Sequence, residues 1–425
     1  MLVIIFLSIT SMRKVDNTIM KNLIVAQSGG PSSAINATLA GICKFAFKSE
    51  KIDKVYGGFH GIKGILEGYI KELNPILDTE EKLDILAMTP AAALGSCRKK
   101  LADYKEDESE YKILIDILRK YNIGYFIYIG GNDSMDTVYK VSEYCRYKGI
   151  DDIKVMGAPK TIDNDLCETD HTPGFGSAAK YIATTISELG YDGDVYAVPT
   201  VNIVEIMGRD AGWLTAASCL ARTNGHHVPD LIYLCERPFD INQFVNDVKK
   251  KISEKKTIIV AVSEGVKNAE GRYIAEVGDR KKDAFGHVEL AGVGYVLKNI
   301  VKREIGCKVR SIELSLMQRC AAHIASKTDI EESKLIGYET AKFVTEGGEG
   351  KVGVFLRSEK NGYEVEVDFV DISKIANKVK QVPLEWINEE GNDVKQELID
   401  YLYPLIQGEL PLKYKGGIPE TIVIK

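Results

Sequence analysis

Four short apolar segments, each ending in a polar turn that contains glycine, constrain the fold of this chain more than any other feature. The segments are 22–27, 125–129, 201–206 and 257–262. Each is a short, predominantly apolar run, which is typical of strands buried on both faces of a parallel sheet. Three helices are predicted between them, over 34–47, from the turn at 130 to about 147, and from the turn at 207 to about 222. The sequence therefore predicts an α/β fold.

The length and charge of the chain limit its organisation and its partners. With 425 residues it is too long for one simple core, so we expect two or more domains. The net charge is −6 with both signs mixed along the chain, which argues against a nucleic-acid surface. An anionic substrate would therefore have to be met by a local cluster of Arg and Lys. The eight cysteines include no CxxC pair, so we expect reduced thiols in the cytoplasm rather than a zinc site.

The N-terminal residues do not fit the strand pattern, which begins directly after Met20. Residues 1–10 are apolar but too short to span a membrane, and Arg13 and Lys14 follow them instead of preceding them as in a secretory signal. We expect residues 1–19 to be an extension outside the fold, with Met20 as the natural start and no membrane partner. A short membrane-associating tail is the alternative.

The glycine-containing turns are candidate phosphate sites, because such turns expose main-chain N–H groups at the start of a helix. At Gly29 and Gly30 the missing side chains let a phosphate approach the backbone closely. The second turn continues into Asn132 and Asp133, and Asp133 is either a group that faces a phosphate site or a helix N-cap. Arg98 follows small residues and can reach an anion. Taken singly, each feature also fits a structural turn or a surface arginine.

The segment 158–165, Ala-Pro-Lys-Thr-Ile-Asp-Asn-Asp, concentrates charge just after a predicted strand over 153–157. The carboxyl ends of parallel strands are where open α/β sheets bind ligands. In an extended segment Asp163 and Asp165 would face the same side, where one can take a proton from a hydroxyl and the other can hold a metal ion. Lys160 supplies charge for a phosphate. An acidic surface turn is the alternative.

Taken together, these motifs resemble the phosphofructokinase family, and within it the pyrophosphate-dependent branch. The order and separation of TIDND (161–165) and MGR (207–209) are the most specific part of the resemblance. The matching stretches are SGGPSSAIN at 28–36, GSCR at 95–98, GGNDS at 130–134, PKTIDND at 159–165, MGRDAGW at 207–213, SEG at 263–265 and VRSIELSLMQR at 309–319. The resemblance implies two Rossmann-like three-layer α/β domains with mainly parallel sheets and the active site in the cleft between them.

The resemblance also implies a reaction, which is the reversible transfer of a phosphoryl group from pyrophosphate to the 1-hydroxyl of fructose 6-phosphate with Mg²⁺. Asp163 matches the family's general base, Thr161 flanks it, and Asp165 matches a metal-side carboxylate. The groups that match those steadying the transferred phosphoryl are Arg98 and the backbone of Gly29 and Gly30. The sugar-binding set is matched by Met207, Gly208, Arg209 and Glu264, and the 6-phosphate set by Arg310 and Arg319. One such arginine comes from a neighbouring subunit in the family, which implies a homodimer or homotetramer.

Two positions distinguish pyrophosphate from ATP as the phosphoryl donor. Relatives that use ATP have glycine where this chain has Asp133 and Lys160. Asp133 would crowd and repel a nucleotide phosphate, whereas Lys160 pairs with the small, densely charged pyrophosphate. Both residues predict pyrophosphate. An ATP-dependent enzyme and a non-catalytic regulatory subunit are the alternatives.

Several residues depart from the family's pattern. Asn132 stands where relatives have a metal-side Asp, so Asn132 or Asp133 is a further candidate metal ligand beside Asp165. Thr200 replaces an arginine that in relatives crosses the subunit interface, and Leu316 replaces a histidine that contacts the sugar phosphate.

Three other residues invite a functional interpretation. His226 precedes another histidine, and because adjacent side chains point apart, a loop position fits it better than a metal pair. His171 lies in a glycine-rich loop, where a substrate contact is an alternative to a structural role. Trp213 is expected in the core.

The motifs suggest a division of the chain into domains. We expect 20–175 to form the phosphoryl-donor domain, completed by part of 318–425, and 176–317 to form the sugar-phosphate domain. The segment 345–425 should pack on both. From Lys351 it has strand-like alternation and a final helix predicted near 394–405, and it carries no chemistry that can be recognised.

Overall fold

The computed structural model describes residues 20–195, 197–225, 227–275, 292–358, 360 and 362–424. The predicted extension at 1–19 and His226 lie outside these residues. Among the described helices, none combines the length and the apolar character needed to cross a membrane. All eight cysteines are free thiols.

The elements of the described residues are numbered along the chain. The strands are β1 (Lys21–Gln27), β2 (Ile52–Gly58), β3 (Ile70–Glu72), β4 (Ile123–Gly130), β5 (Lys154–Pro159), β6 (Thr200–Ile206), β7 (Leu231–Tyr233), β8 (Thr257–Ser263), β9 (Lys308–Glu313), β10 (Lys351–Ser358), β11 (Glu364–Asp371), β12 (Tyr414–Lys415) and β13 (Ile418–Pro419). The helices are α1 (Ile35–Ala46), α2 (Gly61–Leu66), α3 (Glu80–Met88), α4 (Ser109–Lys120), α5 (Asn132–Lys148), α6 (Phe175–Asp194), α7 (Trp213–Ala217), α8 (Ile241–Glu254), α9 (Val293–Glu304), α10 (Met317–Cys320), α11 (Lys327–Thr345) and α12 (Gln396–Leu402).

The first sheet has seven strands in the order β11-β10-β5-β4-β1-β2-β3. The five inner strands run parallel, and β3 and β11 pair antiparallel at the two edges. Along β1, Leu23 and Val25 enter the core shared with α1 and α11, while Ile24 and Ala26 enter the core shared with α4 and α5. This burial on both faces explains why the middle of the strand, residues 23–26, is a continuous apolar run.

The second sheet has four parallel strands in the order β7-β8-β6-β9. It is also covered on both faces, because Val201 and Ile203 pack with α8 and α9, whereas Val204 and Ile206 pack with α6 and α7. In each sheet, the strands that follow one inner strand in the chain are added first on one side of it and then on the other. The change of side lies between β1 and β4 in the first sheet and between β6 and β9 in the second. Such divergence opens a crevice at the carboxyl ends of the strands. The predicted α/β architecture with mainly parallel sheets is therefore confirmed.

Two predicted helices are shorter than expected. The helix predicted to run to about 222 stops at Ala217 and continues as a 3₁₀ helix over Ser218–Asn224, and the Ser218 hydroxyl donates to the Thr215 carbonyl (2.6 Å) at that change. The helix expected near 394–405 is α12, which gives way to a 3₁₀ turn that contains Pro404, because proline has no N–H to continue an α-helix. The domain limits proposed from the sequence remain a prediction.

Candidate active site

A cleft of about 540 Å³ is lined by the turns that follow β1, β4 and β5 of the first sheet and β6 and β8 of the second. We call its two sides the first-sheet wall and the second-sheet wall. Most residues predicted for the site meet here: Gly29, Gly30, Arg98, Asn132, Asp133, Lys160, Thr161, Asp163, Asp165, Met207, Arg209, Glu264 and Arg319. The convergence follows from parallel strands, whose carboxyl ends share one edge of a sheet.

Cationic side chains surround the first glycine turn. Lys160 is 3% exposed, and its ammonium donates to the Gly30 carbonyl. A Cβ on Gly29, which has a φ of +77°, would come within 3.4 Å of the Lys160 Nζ, and a Cβ on Gly30 would come within 3.6 Å of the Arg319 guanidinium. The pKa of Lys160 is lowered to about 8, chiefly by burial; the charges of Asp163 and Asp165 oppose this lowering, and those of Arg319 and Arg98 add to it. The turn thus combines close backbone access with concentrated positive charge, which suits a small polyanion.

Two partly buried carboxylates lie beside this cationic group. Burial raises the pKa of Asp163, against the opposing charge of Lys160, and burial together with Asp163 raises the pKa of Asp165 to about 7. The Thr161 hydroxyl accepts from the main-chain N–H of Asp163 (3.1 Å) and lies 3.4 Å from its carboxylate. A carboxylate with a raised pKa can act as a general base near neutral pH.

The backbone conformation that brings Asp163 and Asp165 to the cleft differs from the extended one that was predicted. The segment is not extended, because Asn164 adopts a left-handed conformation with φ +54°. Its side chain is buried and donates to the Tyr401 hydroxyl (3.0 Å). Asparagine tolerates this conformation better than most residues. The Asn164 side chain thus points into the protein, and Asp163 and Asp165 on either side of it both line the cleft.

The candidate metal ligands differ in how well they suit a cation. Asp165 Oδ1 is buried and has no hydrogen-bond partner among the described residues. Asp133 pairs with the Lys100 ammonium (2.9 Å), and both polar atoms of Asn132 contact main-chain groups of residues 377 and 378. No group of three or more His, Cys, Asp or Glu within the described ranges forms a metal site by itself. A carboxylate oxygen suits Mg²⁺, which commonly binds one or two carboxylates plus substrate phosphates, so Asp165 fits and Asn132 does not.

The second-sheet wall follows β6 and β8. Gly208 has φ +125°, and a Cβ there would lie 2.5 Å from the Ala211 carbonyl, so the turn requires glycine although Gly208 itself does not line the cleft. Burial and the charge of Asp163 raise the pKa of Glu264 to about 7. The Arg209 Nε is buried without a partner among the described residues. This wall therefore holds a cation and a titratable carboxyl close to Asp163.

Arg310 does not join the cleft of its own chain. It lies on β9, the edge strand of the second sheet, where its guanidinium contacts the Asn202 side chain at 3.5 Å. The departures from the family pattern lie nearby in sequence or sheet. Thr200 opens β6 and donates its hydroxyl to the Val198 carbonyl (2.9 Å), and Leu316 is 55% exposed.

The other residues singled out from the sequence have structural surroundings. His171 is buried between Asp170 (2.8 Å) and Glu332 (2.7 Å) and does not line the cleft. Burial alone would lower its pKa, but the hydrogen bonds to the two carboxylates raise it. Trp213 is buried in the core, as predicted.

The cleft lining includes residues that the sequence interpretation did not assign to the site, among them Lys100, Asp210, Asn377 and Val379. Asp210 directly follows Arg209, and Lys100 lies two positions after Arg98, so their proximity to predicted site residues was a usable signal. Asn377 and Val379 belong to the C-terminal segment, which was expected to carry no recognisable chemistry. Tertiary contacts bring this segment against the cleft, where these two residues line it.

Comparisons with known proteins agree with this geometry. The phosphofructokinase family model matches residues 22–344. A Xanthomonas campestris protein named pyrophosphate–fructose 6-phosphate 1-phosphotransferase is 38% identical over 95% of this chain and 96% of its own length, and one of that name from Methylococcus capsulatus is 36% identical over 95% and 96%. The crystal structure of a pyrophosphate-dependent phosphofructokinase from Nitrosospira multiformis superposes with a TM-score of 0.86 at 35% identity, covering 96% of this chain and 97% of that one. The chain belongs to the phosphofructokinase family.

Proposed function

We propose that this chain is an enzyme that transfers a phosphoryl group reversibly between pyrophosphate and the 1-hydroxyl of fructose 6-phosphate. The observation that carries the proposal is the first-sheet wall, where the buried ammonium of Lys160 borders Gly29 and Gly30, with Asp133 lining the same cleft. The family resemblance implies glycine at both positions in relatives that use ATP. The names of the relatives described above support the same donor and acceptor.

In this mechanism the protein positions two anions and moves one proton. Lys160, Arg98 and the Gly29–Gly30 backbone hold pyrophosphate and offset its charge. The family resemblance implies a 6-phosphate role for Arg319, but its guanidinium borders Gly30, so we assign it to pyrophosphate instead. Met207, Arg209 and Glu264 hold the sugar phosphate against the second-sheet wall. Asp163 takes the proton from the sugar 1-hydroxyl while the hydroxyl oxygen attacks a phosphorus atom of pyrophosphate. The bond from that phosphorus to the bridging oxygen breaks, and orthophosphate leaves. In the reverse direction Asp163 returns that proton.

We propose Mg²⁺ as the cofactor and Asp165 as the residue that holds it, since this carboxylate has a buried oxygen with no partner in the described part of the chain. When bound there, the ion supplies positive charge that neutralises pyrophosphate. Asp133 and Asn132 are not part of this proposal, because their side chains already contact Lys100 and the 377–378 backbone.

We also propose that the enzyme works as a homo-oligomer, a dimer or a tetramer, in the cytoplasm. Arg310 supports the first part, because it lies on an edge strand away from its own cleft, where it can reach a neighbouring copy. The free cysteines support the second.

The test is a comparison of donors. Purified protein receives fructose 6-phosphate, Mg²⁺ and either pyrophosphate or ATP, and the fructose 1,6-bisphosphate formed is measured. We expect product with pyrophosphate only. Product with ATP only would overturn the donor assignment, and no product with either would favour a regulatory subunit.

The double variant Asp133→Gly/Lys160→Gly sharpens the donor assignment. Removing both side chains opens the wall and removes the buried charge, so we expect pyrophosphate use to fall and ATP use to rise. Unchanged discrimination between the donors would show that these two residues do not set it.

A further inference from the structure

A segment of the C-terminal region crosses the cleft and contacts both walls. We call residues 377–382, which read NKVKQV, the cleft strap. It follows β11 and the short 3₁₀ turn after it, and Asn377 and Val379 line the cleft. No sequence motif marks it, and none of the roles discussed above uses it.

Asn132 fastens the cleft strap to the first-sheet wall. Its side-chain oxygen accepts from the Asn377 main-chain N–H (2.6 Å), and its side-chain nitrogen donates to the Lys378 carbonyl. The two contacts require an acceptor and a donor on one short side chain, which a carboxamide provides and a carboxylate does not. Asn377 adopts a left-handed conformation with φ +60° and donates its own amide to Asp136 (3.2 Å), which fixes this end of the strap.

The middle of the cleft strap contacts the backbone of residues 158–165, which we call the acidic segment, and of the residues that follow it. The Lys380 main-chain N–H donates to the Asp165 carbonyl (2.7 Å). The Lys380 ammonium donates to the carbonyls of Thr169 (3.0 Å) and Asp170 (2.7 Å). The strap thereby fixes the backbone on which the Asp165 carboxylate is carried.

The far end of the cleft strap contacts the second-sheet wall. The Gln381 side chain donates to the Asp210 carbonyl (3.1 Å), and the Trp213 indole donates to the Lys380 carbonyl (2.9 Å). The Val382 N–H donates to Glu236 (3.0 Å), which also accepts from the Gly212 N–H (2.7 Å). One short segment thus joins the turn after β4, the acidic segment and the turn after β6.

We propose that Asn132 is a positioning residue that clamps the cleft strap, and that the strap holds the acidic segment and the Asp210 turn in register across the cleft. This rests on the proposed phosphotransferase function. It gives Asn132 a reason to be an amide where a metal-binding role would favour a carboxylate. Phosphoryl transfer depends strongly on such alignment, because small displacements of reacting groups cost large factors in rate.

The test is the nearly isosteric variant Asn132→Asp in the full chain. It keeps an acceptor for Asn377 but removes the donor to the Lys378 carbonyl and places negative charge against that oxygen. We expect kcat to fall roughly 10-fold, with the half-saturating Mg²⁺ concentration unchanged. We also expect faster hydrogen exchange at the Asn377 and Lys380 amides. A lower half-saturating Mg²⁺ concentration with unchanged exchange would mean that position 132 faces the metal, which would overturn the proposal.

Two more variants complete the test. Gln381→Ala loosens the strap from the opposite wall and leaves position 132 intact, so it carries the test if Asn132→Asp does not fold. If Asn132→Asp and Gln381→Ala both act through the cleft strap, the variant that combines them should lose activity by a smaller factor than the product of the two single-variant factors. Lys378→Ala is the matched control, since its side chain is exposed and only its main-chain carbonyl contacts Asn132.

Hydrogen exchange needs no substrate, so it separates this proposal from the proposed function. If the wild-type protein makes no product but Asn132→Asp still frees the Lys380 amide, the phosphotransferase assignment fails while the clamp stands. If exchange does not change in either Asn132→Asp or Gln381→Ala, the clamp itself is refuted.

Discussion

The two walls of the cleft differ in how fully one chain builds them. On the first-sheet wall Lys160 donates to Gly30, Asp133 pairs with Lys100 and Asn132 holds the cleft strap, while Asp165 Oδ1 has no hydrogen-bond partner among the described residues. On the second-sheet wall the Arg209 Nε has no partner among the described residues, and Arg310 lies outside the cleft. The comparison indicates that the chain itself positions the cations of the proposed donor site and leaves one carboxylate oxygen for the proposed Mg²⁺, whereas the proposed sugar site leaves a buried cation for the substrate to pair with.

The largest effect should come from Asp163, where the two walls meet. Its charge acts on Lys160 of one wall and on Glu264 of the other. We expect Asp163→Asn to lower kcat by roughly 10²–10⁴, the usual contribution of a general base, with little change in thermal stability. Steady-state kinetics and a melting curve check this, with Asp192→Asn as a control at an exposed carboxylate. Near-full activity would remove Asp163 from the mechanism.

A smaller effect should come from Arg310, and it decides whether the second-sheet wall needs another chain. Losing a charged hydrogen bond to a phosphate should raise the KM for fructose 6-phosphate roughly 10- to 100-fold in Arg310→Ala. The exposed Arg303 of α9 provides the control Arg303→Ala.

A mixing experiment locates the site that Arg310 serves. Arg310→Ala chains keep Asp163, and Asp163→Asn chains keep Arg310, so hybrid oligomers should regain activity if Arg310 reaches across an interface. If the mixed chains regain no activity, or if the protein sediments as a monomer, the cross-subunit role of Arg310 is contradicted. The second-sheet wall would then be completed by substrate alone.

The smallest effect is a dependence on pH that reports on both walls. The pKa values of Asp165 and Glu264 are raised to about 7, so kcat/KM should fall as the pH drops below about 7 and these carboxyls become neutral. The pKa of Lys160 is lowered to about 8, so kcat/KM should also fall above about 8 as its ammonium loses its proton.

Lys160→Arg should remove the alkaline limb of that profile, because a guanidinium keeps its charge throughout this range. Comparison with the wild-type profile cancels the titration of the substrates themselves. An alkaline limb that persists unchanged in Lys160→Arg would assign it to a group other than Lys160.

The sequence located the site well where its residues follow strands directly. Gly29, Lys160 and Glu264 each lie in a turn at the end of a parallel strand, and the topology then brings such turns together. Local pattern also found the buried strands themselves, because burial on both faces leaves a continuous apolar run.

The remainder depended on contacts between distant parts of the chain. Asn132 and the Lys378 carbonyl are 246 positions apart, and no local pattern relates them. The same holds for Arg310, since strand alternation does not reveal that β9 is an edge strand. His171 lies in a glycine-rich loop that resembles a binding loop, but Asp170 and Glu332 enclose it.

The place of β10 in the first sheet has a consequence for how the protein is made. β10 pairs with β5, yet it follows β5 only after every strand of the second sheet has been synthesised. Until then β5 is the open edge of a parallel sheet, and such an edge is a template for pairing with other chains. β10 and β11 therefore protect this edge from pairing with other chains, and a truncation before residue 351 should appear first as loss of soluble protein.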